Sequence, residues 1–524
     1  MMIKAILTLF FAIVPSAAVW SQPSKAVTDL NRAIEILDAT MERSFRGSST
    51  NYYMADVCDA ASDAVSGPSD VWPYTAAIEA HCSVLEALNA LKDEAPDLYD
   101  LHYVHYLHQL DILIDNLDYY RGSYTLVSYA TRKTWNTVYA VPRANQRGKG
   151  DVTGDNLKKN VYDDQMWLAR ELIRAYRLTG NASYRDIAIS LTNYVIDGWD
   201  CWRDSNGEEY GGITWGPGYN SKHACSNAPI IQPLVWLHDI INDEDSDATY
   251  TFYYRDENNQ VTSKAVRLAD LYLDFAKKNY SWQKKHLYNS QTHLYYDMMG
   301  ADGTLQYDGT GASRRRAHVD NGGPTGTAYT YNTGTMLAGA VELLRVTGDE
   351  NYRADIDNLA HYSYIGFSRP VRREGVTYRQ WPTDASPLQG FNAWFDNVLM
   401  RAYVDASASP DPSSYCGQSL LSFETNLDYA YDHYLKNHML PIDLLGGWGD
   451  STKTKGFHQV SFAAEYAMLA VWRHRQQTED VSYIRHNFHL PTNYYNLKGQ
   501  LMQGTLETLP HGIYVAQGHK LFVK

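Results

Sequence analysis

Leu178-Thr-Gly-Asn-Ala-Ser-Tyr184 and Val346-Thr-Gly-Asp-Glu-Asn-Tyr352 spell one connection twice. In each, apolar helical periodicity stops at a glycine, Gly180 or Gly348, suited to the left-handed conformation that closes a helix. Asn181 or Asp349 then caps the next helix through its side-chain oxygen. Working outward from these two turns, apolar residues at spacings of three and four predict twelve helices. They fall near 25–46, 74–93, 97–120, 160–179, 182–197, 227–242, 263–280, 331–347, 350–366, 389–405, 417–437 and 459–476. Tight turns join the members of a pair, and the reverse connections are long and rich in Gly, Trp and Tyr. This pattern predicts an all-α (α/α)6 toroid, six helical hairpins in a ring, with function gathered where the long loops meet. Two segments read as β-hairpin insertions, Tyr124 to Val141 and Thr249 to Ser263, the second turning near Asp256-Glu-Asn-Asn259. After about residue 480, Asn493-Tyr-Tyr-Asn-Leu-Lys-Gly and Gly512 to Lys524 alternate like short strands.

The expected organisation is a signal peptide at 1–21, a catalytic toroid at 22–480 and a β tail at 481–524. Lys4, the apolar run Ala5 to Val14, and small residues Ala17, Ala18 and Ser21 form the export signal. No later stretch is long enough to span a membrane, so the protein is expected to be exported: surface-bound, secreted or periplasmic. The 60 acids against 46 bases, net −14, argue against nucleic acid as partner. The 42 Tyr and 13 Trp can fill a large core, and some can stack on sugar rings. Of five cysteines, Cys201 with Cys225 and Cys58 with Cys82 are candidate bridges, and Cys416 is left over. None has metal-finger spacing, and no metal or cofactor is expected. His102, His105 and His108 lack acid partners at ligand spacing. Asp243, Asp245 and Asp247 lack the Gly and Glu of a calcium loop.

The chemistry-bearing stretch is Asn160-Val-Tyr-Asp-Asp-Gln-Met-Trp167. Asn160 can cap a helix whose buried face runs through Leu168, Leu172 and Tyr176. Asp163 and Asp164 repel each other, so a fold needing only a helix start would choose one acid. Glycosidic bond cleavage uses two carboxylates, whereas a capping box would use Asp163 alone. Three further segments fall at helix starts, or in the long loops before them, on the same side. These are Gly211-Gly-Ile-Thr-Trp215 with Ser226-Asn-Ala-Pro229, Leu294-Tyr-Tyr-Asp297, and Tyr329-Thr-Tyr-Asn-Thr-Gly334. Capping by Ser226, Asn227 or Thr330 is the plainer reading of each segment alone.

As an ordered set these pieces resemble glycoside hydrolase family 76, the endo-α-1,6-mannanases. The matching motifs are Tyr-Asp-Asp-x-x-Trp (162–167), Leu-Thr-Gly-Asn (178–181), Gly-Gly-Ile-x-Trp (211–215), Ser-Asn-Ala-Pro (226–229) and Thr-Tyr-Asn-x-Gly (330–334). The resemblance spans about 25–476 and implies a retaining mechanism with Asp163 as nucleophile and Asp164 as general acid/base. It also implies contacts to α-mannan from Tyr162, Trp167, Gly212, Trp215, Ser226, Asn227, Asp297, Tyr331 and Asn332, in a chain expected to act as a monomer. Phe391-Asn-Ala-Trp-Phe395 departs from the family, which usually has Lys after the first Phe. The last residues resemble the closing segment of a type IX secretion sorting tail. Two rival functions are a non-catalytic glycan-binding protein and a transglycosidase acting on cell-wall mannan.

Physical reasoning points the same way. Successive helical positions lie about 100° apart, so two Asp carboxyls can flank a sugar at about 5–6 Å, the retaining separation. The helix N-terminus should keep Asp163 ionised, and repulsion from Asp163 should raise Asp164.

Overall fold

The computed structural model describes the backbone at 23–153, 158–320, 322–382 and 391–487, with short strands beyond, and side chains to residue 478. The expected signal peptide and most of the tail's connections lie outside the described residues. All twelve predicted helices form: α1 Lys25–Ser44, α2 Val71–Ala90, α3 Pro96–Asn116, α4 Tyr162–Thr179, α5 Ala182–Asp197 and α6 Ile231–Glu244. After these come α7 Leu268–Leu287, α8 Thr330–Thr347, α9 Glu350–Phe367, α10 Ala393–Ser407, α11 Ser414–Tyr434 and α12 Gly456–Asn487. The even-numbered helices touch in a closed ring, α2 to α4 to α6 to α8 to α10 to α12 and back to α2, and each odd-numbered helix packs outside. This is the (α/α)6 toroid.

Sequence composition explains which helices lie inside. In α2, α4 and α8 nearly every side chain is buried, whereas α3 buries only Tyr106, Leu110, Leu113, Ile114 and Asn116. An inner helix is packed on both flanks and behind, so it must be apolar nearly all round. Small residues let the ring close: a Cβ on Gly334 of α8 would lie 2.7 Å from the Leu399 Cα of α10. The two repeated turns form as read. Gly180 (φ 70°) and Gly348 (φ 66°) end α4 and α8, and the side chains of Asn181 and Asp349 cap α5 and α9.

Every inner helix therefore starts at the end bearing the long loops. There the pairs 222–223, 298–299 and 324–325 form a three-stranded antiparallel sheet. Both insertions are hairpins, Arg121–Val127 with Arg132–Tyr139 and Thr249–Arg255 with Val261–Arg267. The second springs from the tight-turn end and climbs the wall of the toroid. At its tip Asn259 accepts from the backbone N–H of Arg203 at 2.8 Å, bracing a long loop. Beyond α12, strands Tyr494–Asn496, Leu501–Met502, Gly512–Ala516 and His519–Val523 form a four-stranded sheet.

Three expectations need correction. No disulfide forms: Cys58, Cys82, Cys201, Cys225 and Cys416 are all buried free thiols. Cys82 faces the Glu171 carbonyl, and Cys58 packs with Ala60 and Met439, so the proposed partners sit in different parts of the fold. Asn160 is not the cap of α4. The helix starts after Val161 without a side-chain cap, and the Asn160 amide donates to the Tyr194 hydroxyl at 3.0 Å. Helix α7 begins at Leu268 rather than 263 because the hairpin strand continues to Arg267.

Gly334→Ala should therefore lower stability by about 1–3 kcal/mol, since the new methyl meets backbone that cannot step aside. Gly339→Ala meets the Ile231 side chain instead of backbone and gains helix propensity, so it should cost less than Gly334→Ala. Chemical denaturation of both variants checks the contrast; equal midpoints would contradict the close approach of α8 and α10.

Candidate active site

Asp163 and Asp164 lie in the first turn of α4, at the loop-bearing end of the ring. The Tyr162 N–H donates to the Trp215 carbonyl at 2.8 Å, which ties the helix start to the long loop after α5. Trp215 Nε1 in turn points at Asp163 Oδ2, 3.4 Å away. That indole is half-buried and stacks on His223, with centroids 4.8 Å apart. His223 contacts the Ser221 hydroxyl at 3.0 Å, and Ser221 donates to Asp302 at 2.8 Å. The Cys225 thiol also lies beside Asp163. Asp163 Oδ1 and Asp164 Oδ2 are buried without a hydrogen-bond partner in the protein. Groups left open in this way are available to a ligand or to solvent.

The two acids have different environments. Burial raises Asp163 to about 6, while the Cys225 thiol, the Trp215 indole and the backbone N–H groups of Asp163 and Asp164 hold it down. Asp164 accepts no such donors. Burial pushes it well above the carboxylate range, and the charges of Asp163 and Asp70 push it further. The order is the one the helix position suggests, but Asp163 sits higher than the dipole alone would leave it because desolvation outweighs its donors.

The remaining sequence-derived residues divide into two groups. Asp297 and Tyr331 join the acids: the Tyr331 hydroxyl donates to Asp297 at 2.8 Å, and both carry electrostatic influence at Cys225. Asn332, in the first turn of α8, is fully buried with neither amide atom bonded. The others are absorbed by packing. Tyr162 is 1% exposed and lies against Tyr194 at 5.1 Å. Trp167 meets Trp394 edge-on at 4.8 Å beneath the acids. Ser226 and Asn227 do not cap α6; they bind the Ile213 and His223 carbonyls, and Asn227 Oδ1 accepts from the Ile213 N–H. Thr330 does not cap α8, because its hydroxyl donates to Asp396. Gly212 takes φ 76° beneath Trp282, where a Cβ would lie 2.3 Å from the ring. These residues shape the loops that hold Trp215.

Two neighbours escaped sequence reading. Cys225 immediately precedes Ser-Asn-Ala-Pro, but its spacing from Cys201 suggests a disulfide instead. Asp70, before α2, reads as an ordinary cap; its side chain caps nothing and its charge bears on Asp164.

The sequence profile described as Glycosyl hydrolase family 76 matches residues 112–271 and 257–408. No curated protein matches the chain. Among solved structures, the family 76 mannosidase Bt3792 of Bacteroides thetaiotaomicron VPI-5482 is 19% identical and superposes with a TM-score of 0.61. The match covers 86% of this chain and 100% of that one. The α-mannanase BT2949 of Bacteroides thetaiotaomicron is 16% identical with a TM-score of 0.57, over 87% and 98%. A third is an inactive variant of the α-1,6-mannanase GH76A of Salegentibacter sp. HEL1_6, with two consecutive aspartates replaced, in complex with α-1,6-mannotriose. It is 18% identical, with a TM-score of 0.53 over 85% and 99%.

A raised folded pKa means that the native state binds more protons than the unfolded chain between the two values, so stability falls as pH rises through that window. For Asp163 the window runs from 3.8 to about 6, and for Asp164 it extends higher. Asp164→Asn removes a carboxyl that resists ionisation, so its melting temperature should exceed the parent's at pH 7, with the gap shrinking towards pH 4. Calorimetry across that range reads it; a destabilised variant at pH 7 would contradict the electrostatic account.

Proposed function

The chain belongs to glycosyl hydrolase family 76 and is a glycoside hydrolase, and we propose that it is an exported endo-acting enzyme cleaving α-1,6-mannosidic bonds of mannan with retention. The observation that carries this reading is the adjacent carboxyl pair at the head of an inner helix, with one acid supplied with donors and the other stripped of them. The substrate class is supported by solved relatives described as α-1,6-mannanase and mannosidase. The variant with two consecutive aspartates replaced is described as inactive, which supports placing the chemistry on Asp163 and Asp164. Export is supported by the charge and apolar pattern of residues 1–21. Among the described residues, no helix is long and apolar enough to cross a membrane.

In this mechanism the Asp163 carboxylate attacks the anomeric carbon while Asp164 gives its proton to the departing glycosidic oxygen. The product is a mannosyl ester of Asp163 and a shortened chain. Esterification removes the Asp163 charge that adds to burial in raising Asp164, so Asp164, ionised by the first step, takes a proton from water as that water attacks the same carbon. Two inversions return the α configuration, and both carboxyls recover their starting protonation.

Asp163→Ala should lower turnover on every substrate by about 10⁴-fold or more, because the covalent step has no substitute. Asp164→Ala should cost about 10²–10⁴-fold on mannan, and far less on an aryl mannoside whose leaving group needs no proton. Azide should rescue Asp164→Ala and give the α-mannosyl azide. Rescue of Asp163→Ala with an α product, and of Asp164→Ala with a β product, would exchange the roles, and full activity in both variants would remove the pair from catalysis.

The pH dependence of kcat/KM should be bell-shaped. Its acid limb should lie near pH 6, where Asp163 loses its charge, and its alkaline limb should mark deprotonation of Asp164. Since the pair titrates together, these limbs belong to the dyad. An enzyme still fully active two units below pH 6 would contradict Asp163 as nucleophile.

A further inference from the structure

At the tight-turn end of the toroid, α2, α4, α6, α10 and α12 line a cavity of about 320 Å³. It lies some three helical turns below the acid pair, roughly 16 Å along α4, and shares no lining residue with the candidate active site. Its outstanding feature is cationic: Arg170, Arg174, Arg177, Arg401 and Arg475 all border it, in a chain whose net charge is −14.

Three of these arginines are already matched. Arg401 pairs with Glu79 at 2.6 Å, Arg170 with Glu171, and Arg174 with Glu86 at 2.7 Å and Glu171 at 2.8 Å. Three carboxylates thus answer three guanidinium groups, and all three cations are at most 6% exposed. Arg177 and Arg475 differ. Among the described residues neither makes a side-chain hydrogen bond or an ion pair; Arg177 covers the Trp236 ring at 4.7 Å and feels the charges of Glu342, Asp239 and Glu86 without a direct contact to any of them. Among the described residues, two guanidinium groups therefore stand at the rim without a direct carboxylate contact, over a floor of buried arginines. Trp236, Val404, Met468 and Val471 supply apolar wall, which strengthens charge recognition by excluding water.

Among the described residues, one carboxylate in the lining makes no ion pair: Asp405, whose Oδ2 accepts from the Gln232 amide at 2.9 Å. An ionised Asp only accepts hydrogen bonds. It repels an anion that has no proton to offer and accepts from one that has. Monohydrogen phosphate and protonated phosphate monoesters carry such an O–H; sulfate does not.

We propose that this cavity is a binding site for a phosphate group, held by Arg177 and Arg475 and selected over sulfate by Asp405. Guanidinium forks match the oxygens of phosphate, and the volume leaves room for a small organic body beside it. Free phosphate and a phosphorylated sugar share this chemistry. The site is independent of the mannan reading, since binding is measured without turnover.

Titration calorimetry on the full chain, near pH 6.5 and at constant ionic strength, tests the proposal with inorganic phosphate, mannose 6-phosphate, sulfate and mannose. Inorganic phosphate should bind, with sulfate weaker by about tenfold or more, the value of one charged hydrogen bond. Tighter binding of mannose 6-phosphate assigns the monoester as ligand, and equal binding assigns the free ion. Arg177→Ala with Arg475→Ala, at a solvent-facing rim where loss of fold is not expected, should abolish binding while leaving mannan hydrolysis unchanged. Asp405→Asn, which can donate, should erase the preference against sulfate. Absence of phosphate binding, equal binding in the double arginine variant, or sulfate preferred by the parent would each overturn the site.

Discussion

Closing six helices into a ring forces each to be apolar on nearly every side and to run in the same direction as the other five. Both consequences reach the chemistry. With α2, α4, α6, α8, α10 and α12 parallel, their N-termini and the positive ends of their dipoles gather at one end. Long loops have room only there, because the other end is drawn tight by turns such as Gly180-Asn181 and Gly348-Asp349. An anionic site at the head of an inner helix is thus favoured by the dipoles, enclosed by loops and supported from below by a packed interior.

That interior is polar in layers, and the layers explain how two adjacent acids keep different protonation states. In the first turns lie Asp163, Asp164, Asn332 and Asp396; burial raises Asp396 well above the carboxylate range. A few turns down, Glu79 is buried yet held to about 2 by Arg401, Arg170 and Arg174, and it takes the Trp394 indole N–H at 3.0 Å. Glu465 is pushed up strongly by burial and by the charges of Asp396 and Glu79, and it makes no ion pair among the described residues. The fold ionises a buried carboxyl where it supplies arginine and neutralises it where it does not. Asp164 belongs to the second kind. Asp163 lies between the two, with an indole, a thiol and backbone N–H groups in place of an arginine.

Much of this was legible in the chain. The repeated Thr-Gly-Asn/Asp turns announced hairpins of helices, the three-four spacing located twelve helices, and the asymmetry of loop lengths pointed to the end where the candidate site lies. Periodicity could not say what a loop residue does. Ser226 and Asn227 look like caps and instead pin carbonyls across a loop, because α6 begins only after a short 3₁₀ turn at Ala228–Ile230. Asn160 looks like a cap and binds Tyr194, a partner brought close only by tertiary packing. Cysteine counting suggested bridges where the fold buries thiols separately. Cys225 and Asp70 were invisible as neighbours of the acids because one lies 62 residues and the other 93 residues from Asp163 in sequence. Only ring closure and the descent of the loop after α5 bring them together.

The claim on which the functional account rests is that Asp163 carries the sugar between the two halves of the reaction. Incubation with a 5-fluoro α-1,6-mannobiosyl fluoride would read this directly, since the ring fluorine slows both displacements and the activated leaving group speeds only the first. Proteolysis and mass spectrometry should then find one mannobiosyl group, on the peptide containing 160–167, with fragmentation placing it on Asp163. A label on Asp164 or elsewhere, or steady turnover to a β product with no label, would contradict the account.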